Sequence, residues 1–171
     1  MRRRIGKSIF GTYGVFITAF VLTFYGLGAS IVDQYVIYPT FPVIGENEFV
    51  AYRAVFGPRI VLFMVLPLIL QSVFSILLLW LRPKAIPLWT VWLALVCQLV
   101  RWGSTVVIQL PIQAQLERGK NLELISTLMQ TSWIRTLANV AVAAIMIWMM
   151  FAVLRSLVGV SNNASVKVYE Y

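Results

Sequence analysis

Residues 98–113 read QLVRWGSTVVIQLPIQ, which places an arginine among polar amides inside an otherwise apolar stretch. Gln98, Arg101, Thr105 and Gln109 follow one another at spacings of three, four and four. In an α-helix such spacings confine them to a sector of about 60°. An arginine at the centre of a membrane helix costs at least about 2.5 kcal/mol unless it finds acceptors or water, so the stripe is expected to face neighbouring helices. The chemistry on offer is that of the guanidinium, a planar fork of N–H donors suited to a carboxylate, a phosphate or a carbonyl. Arg59 and Arg135 lie near the outer ends of other apolar runs, and Asn139 follows Arg135 by one turn. With Tyr35, Tyr38, Tyr52, Gln109, Gln113 and Trp133 they could enclose a polar cavity. The candidate ligand-binding set is therefore Arg101, Arg135, Arg59, Gln109, Gln113, Asn139, Tyr38 and Trp133.

Gln71, Gln98 and Asp33 are expected to be structural. Counted along their helices, the two glutamines fall at similar depth and are expected to hydrogen-bond to each other. Asp33 is the nearest counter-ion to Arg101 by depth, with Glu46 and Glu48 able to dip in from outside. Two readings stay open. One is a satisfied Arg–Asp network fastening helix ends, with Trp133 and the tyrosines as an interfacial belt. The other is a pocket whose excess arginines receive an anionic or carbonyl-bearing ligand.

Other chemistry is limited by what is missing. The chain has no histidine and a single cysteine, Cys97. Histidine-ligated haem, histidine-rich zinc or copper sites and Glu-x-x-His di-iron sites are thereby excluded, as is the commonest general base. No P-loop, HExxH or CxxC motif occurs. No metal and no cofactor is expected, and no catalytic residue is assigned.

The elements that must carry the stripe are transmembrane helices. Of 171 residues, 60% are hydrophobic and 12% charged, with a mean hydropathy of +0.85. Soluble domains run nearer half apolar and a quarter charged. Four apolar runs are long enough to cross a bilayer: 8–32, 58–81, 87–110 and 134–154. The expected fold is all-α, a single domain over 1–171 built as a four-transmembrane-helix bundle. A basic N-terminus (1–7) precedes it and a flexible tail (156–171) follows. The first run also resembles a secretory signal, but its length and the lack of a small-residue cleavage site favour an uncleaved helix. RPKAIP (82–87) predicts a tight hairpin between spans two and three. In GENEFVAYRAVFGPRI, Phe49, Tyr52 and Phe56 recur at a helical period, and Asn121 can cap a helix that runs into span four. These segments predict a small helical external cap. Gly11, Gly14, Gly26 and Ala29 form small-xxx-small spacings compatible with close helix contact.

The net charge of +8 is unevenly placed. Arg2, Arg3, Arg4, Lys7, Arg82, Lys84, Arg155 and Lys167 would share one side with Glu170 alone, eight positives against one acid. The other side would hold Arg53, Arg59, Arg101, Arg118, Lys120 and Arg135 against Asp33, Glu46, Glu48, Glu117 and Glu123, six against five. This is the positive-inside pattern, which puts both termini in the cytoplasm and the protein in a membrane such as the bacterial inner membrane. Anionic lipid headgroups suffice as partners for the basic face, so nucleic acid is not expected. Other membrane subunits or a second copy of the chain are further candidate partners.

Residues 105–137, TVVIQLPIQAQLERGKNLELISTLMQTSWIRTL, together with YPTFPVIGENEF (38–49), resemble small bacterial four-helix membrane proteins related to the anthrone-oxygenase-like family. The positions that match are Pro111, Gln113, Trp133 and Arg135. Gln113 stands where the family usually has Asn, and the family's histidines have no counterpart. The resemblance implies a four-helix membrane architecture. Three function classes follow from the residues. The first is a non-catalytic membrane protein, either an accessory subunit or a small-ligand- or lipid-binding bundle. The second is a cofactor-independent oxidoreductase acting on an apolar or aromatic substrate, and the third is anion transport as an oligomer.

Overall fold

Three of the helices carry a proline immediately after a widened turn, and these turns shape the molecule. In the computed structural model, which describes the backbone of residues 2–168 and the side chains of residues 11–159, every element is helical. Helix α1 (Arg2–Val32) passes into a π turn, Asp33–Ile37, then a short α2 (Tyr38–Thr40) and a 3-10 turn, Phe41–Val43. Helix α3 (Glu46–Ile60) passes through the π turn Val61–Val65 into α4 (Leu66–Leu81). Helix α5 (Leu88–Ser104) passes through the π turn Thr105–Gln109 into α6 (Leu110–Leu116). Helix α7 runs without interruption over Leu122–Val168.

The cause lies in Pro39, Pro67 and Pro111. A proline inside a helix lacks an N–H, and its ring collides with the carbonyl four residues earlier. Here the residue before each proline reaches back five positions instead: Tyr38 N–H to the Asp33 carbonyl, Leu66 to Val61, and Leu110 to Thr105. The helix gains one residue in that turn and continues. Pro58 lies inside α3 without such a turn. The carbonyl that Pro67 deprives is that of Phe63, and it accepts a hydrogen bond from Tyr25 Oη at 2.6 Å. The described part of α7 contains no proline and no π turn.

Four segments are long and apolar enough to cross a membrane: Gly11–Val43, Glu46–Leu81, Leu88–Leu116 and Leu122–Gly159. Each exceeds the expected run: the first and third helices continue through Pro39 and Pro111, and in the second and fourth the helices beginning at Glu46 and Leu122 run into the spans without a break. Helix α7 likewise continues past 154 and through part of the tail expected to be flexible, since no proline stops it before Val168. Residues 1 and 169–171, and the side chains of the basic N-terminus, lie outside the described residues. The RPKAIP connection is tight as expected. Arg82 donates to the carbonyls of Leu79 and Ile86, both at 3.1 Å, and so closes the end of α4.

Around the bundle, α1 packs on α4 and α7, and α5 packs on the same two helices. Along the axis the interior has three layers. Nearest the 82–87 turn is an apolar core including Phe16, Leu78, Val91, Val142, Met146 and Met149. At the opposite end Tyr38, Phe41, Phe49, Ile112, Leu116, Ile125 and Leu128 form a second core. Phe41 is its centre, with the rings of Tyr38, Phe49, Tyr52 and Phe56 at 5.7–6.1 Å. Lys120 Nζ ties the two connections at this end together by donating to the carbonyls of Pro42 (2.8 Å) and Ile44 (2.6 Å). Asn121 Oδ1 caps α7 by accepting from the N–H groups of Glu123 and Leu124. Between the cores lies a layer of buried polar residues.

Glycine use is selective. A Cβ on Gly26 would stand 2.7 Å from Leu68 Cδ2, so this residue permits a close approach of α1 to α4. Among the described residues nothing lies within 4 Å of a Cβ placed on Gly11 or Gly14, so the close contact their spacing allows is not seen there.

Candidate functional site

The polar layer is built from the stripe on α5 and the helices it faces. Ser75 Oγ accepts from Gln98 Nε2 at 2.9 Å. One turn further along, Arg101 is 1% exposed and donates through Nη1 to Gln71 Oε1 (2.5 Å) and Asn139 Oδ1 (3.0 Å). Its Nη2 donates to Ser72 Oγ at 3.2 Å, where Trp102 Nε1 also donates at 2.9 Å. Gln71 Nε2 in turn donates to Thr23 Oγ1 at 3.0 Å. The expected Gln71–Gln98 bond is absent because the chain between α4 and α5 sets Gln98 level with Ser75 and Arg101 level with Gln71. Arg101 therefore meets amides and a hydroxyl, not a carboxylate.

The expected counter-ion serves the other arginine. Arg135 Nη2 donates to Asp33 Oδ2 at 2.8 Å and to Tyr38 Oη at 3.0 Å, and its Nη1 donates to Gln109 Oε1 at 3.0 Å. This is the one ion pair among the described residues. Beside it, Gln34 accepts from Ser132 Oγ and donates to the Met129 carbonyl, locking the start of the first π turn to α7. Glu46 and Glu48 are exposed at the start of α3.

A cavity of about 170 Å³ lies against these groups. All three π turns contribute to it, through Asp33, Val61, Val65, Thr105 and Gln109. It exists because α1 and α5 pack closely on α4 but make no comparable contact with α3 and the π turn above it, so the second span leans away. Part of its wall is apolar, with Phe56, Ile60, Met64 and Leu68. The polar part carries Arg53, Arg101 and Arg135 with Asp33, Gln109 and Gln113. Arg53 is buried between the rings of Phe41 and Phe56, 5.5 and 5.6 Å from their centres, and Nη2 donates to the Gln113 carbonyl at 3.4 Å.

Donors outnumber acceptors among the buried atoms of this wall that lack a protein partner. They are Arg53 Nε and Nη1, Arg101 Nε, Arg135 Nε and Gln109 Nε2, against Asp33 Oδ1 and Gln113 Oε1. Such a wall suits an oxygen-rich group, because each buried N–H left unpaired costs about 1–3 kcal/mol.

Of the candidate residues, Arg101, Arg135, Gln109, Gln113 and Tyr38 line the cavity, and Asn139 supports it through Arg101. Arg59 and Trp133 do not. Arg59 is exposed, and Trp133 turns outward to meet the edge of Tyr35 at 5.8 Å. Arg53 and Trp102 line it without having been among the candidates, and Ser72 supports it by accepting from Arg101 and Trp102. A signal for Arg53 was present in its spacing from Phe56, one turn away on the same face as the aromatic stripe.

No family model, curated protein or solved structure matches the chain. The likeness of residues 105–137 and 38–49 to the anthrone-oxygenase-like family is therefore not supported by any match.

Proposed function

We propose that this multi-pass membrane protein is a non-catalytic bundle that binds a small amphiphilic ligand in the arginine-lined cavity. The observation that carries the reading is a lining that combines apolar side chains with unpartnered buried N–H groups. An apolar pocket with a few convergent polar groups is the usual form of a small-ligand site. The ligand's oxygens would take the free donors of Arg53, Arg101 and Arg135, and its apolar part would lie against Met64 and Leu68. In this reading membrane lipid is the immediate partner. The distribution of positive charge supports placing the 82–87 turn and both termini in the cytoplasm, with the protein in the bacterial inner membrane.

Native mass spectrometry of protein released from mild detergent tests the proposal. Wild-type protein is expected to retain a stoichiometric small adduct that Arg101→Gln and Arg135→Gln lose. A bare wild-type mass, or equal retention by all three proteins, would contradict it.

A further inference from the structure

Two features of the same cavity narrow the ligand, and the inference drawn from them rests on the reading above. The first is charge. Arg53, Arg101 and Arg135 line the cavity with Asp33 and Glu117, three cations against two acids. Asp33 is engaged by Arg135. Arg101 bonds to neutral partners only, and its buried Nε has no protein partner. The lining carries one net positive charge, and Arg53 and Arg101 are its two arginines without an ion pair. A buried cation in a medium of low dielectric attracts an anion far more strongly than it would in water.

The second feature is the way in. Val61 and Leu110 both line the cavity, yet they are 58% and 53% exposed on the outside of the bundle. The wall between the leaning second span and the third is therefore an apolar slot facing sideways, where lipid would be. At about 170 Å³ the space is below the ~300–1,000 Å³ usual for drug-sized ligands. It fits a headgroup and the first carbons, with the remaining chain lying in the slot.

We infer that the site selects a single monoanionic amphiphile that arrives laterally from the bilayer, its oxyanion on Arg101 and its acyl chain between the second and third spans. A free carboxylate and the phosphodiester of a phospholipid share this chemistry. Trp102 reports on both, since it lines the cavity and hydrogen-bonds to the same Ser72 hydroxyl as Arg101.

The experiment is fluorescence quenching of the full-length protein in zwitterionic nanodiscs by dibrominated stearate, its methyl ester, and a dibrominated phosphatidylglycerol. The other five of the six tryptophans (80, 89, 92, 133 and 148) lie on exposed surfaces, so the signal is the part lost in Trp102→Phe. Saturable Trp102-dependent quenching is expected, with the acid or the phosphodiester binding about tenfold more tightly than the ester. Whichever anion quenches identifies the source. Arg101→Gln should abolish the preference without weakening the ester, and Arg101→Lys should keep it. Equal binding of acid, ester and phosphodiester would overturn anion selection while leaving the pocket in place. Absence of Trp102-dependent quenching by all three would overturn the pocket reading itself.

Discussion

Two arginines in one polar layer are held in opposite ways, and their substitutions should separate. Arg135 is paired with Asp33 at 2.8 Å, both side chains being largely buried. Removing one member of such a pair strands the other charge, at a cost of about 3–5 kcal/mol. Arg101 is held by several neutral acceptors, of which Asn139 is one. Hydrogen bonds of that kind between membrane helices average about 0.6 kcal/mol and reach about 1.7. Asp33→Asn is thus expected to lower unfolding free energy in mild detergent by roughly 3 kcal/mol, and Asn139→Ala by about 1. Adding Arg135→Gln to Asp33→Asn should recover part of the loss, because the stranded cation is gone. Denaturant titration followed by circular dichroism measures all of these. If Asp33→Asn costs no more than Asn139→Ala, the ion pair contributes little to holding the first and fourth spans together.

At the scale of the elements, the π turns are what convert four rods into a bundle with a side cleft. The turn at Val61–Val65 depends on Pro67, and the carbonyl it frees is held by Tyr25. Tyr25→Phe should therefore cost about 1 kcal/mol. In a Pro67→Ala background the same change should cost measurably less, since the backbone N–H restored by that substitution can itself donate to the Phe63 carbonyl. Additive losses in this double-mutant cycle would mean that proline and tyrosine do not share that carbonyl. The four helices, the hairpin at 82–87 and the capping role of Asn121 were legible from apolar run length, proline placement and side-chain type. So was the burial of the Gln98–Gln109 stripe. Register between helices was not, because depth counted along one helix axis carries no information on its neighbour's offset. That is why Gln71 was matched to Gln98 rather than to Arg101. Widened turns were also hidden: Pro39 and Pro111 fell outside the expected spans and Pro67 inside the second, and residue type alone does not mark a turn that gains a residue. Trp133 is different: two residues from Arg135, it must project from nearly the opposite face of α7, so helical geometry alone separates them.

For the molecule as a whole, the decisive asymmetry is between its two ends. The end with the 82–87 turn has an apolar core, whereas the other holds the aromatic core, the Lys120 clamp and, just beneath them, the cavity. Each candidate span has 29 residues or more, against the ~20 that hydrocarbon requires, so part of every helix must project beyond it. The distribution of charge is expected to fix which part. The 82–87 turn carries Arg82 and Lys84 with no acid, while the segment beginning at Glu46 and the 117–123 connection mix both signs. Excess lysine and arginine in short loops stays cytoplasmic, which would place the cavity toward the outer leaflet. Cysteines introduced at Lys84 and Gly119 in a Cys97→Ser background test this arrangement. An impermeant maleimide should label position 119 in intact cells and position 84 only after the membrane is opened. The reverse pattern would turn the bundle over, and an anionic amphiphile would then reach Arg101 from the cytoplasmic leaflet instead. Labelling of both positions in intact cells would mean that the segment between them, which carries the polar stripe, does not cross, and would overturn the four-span arrangement on which the cavity depends.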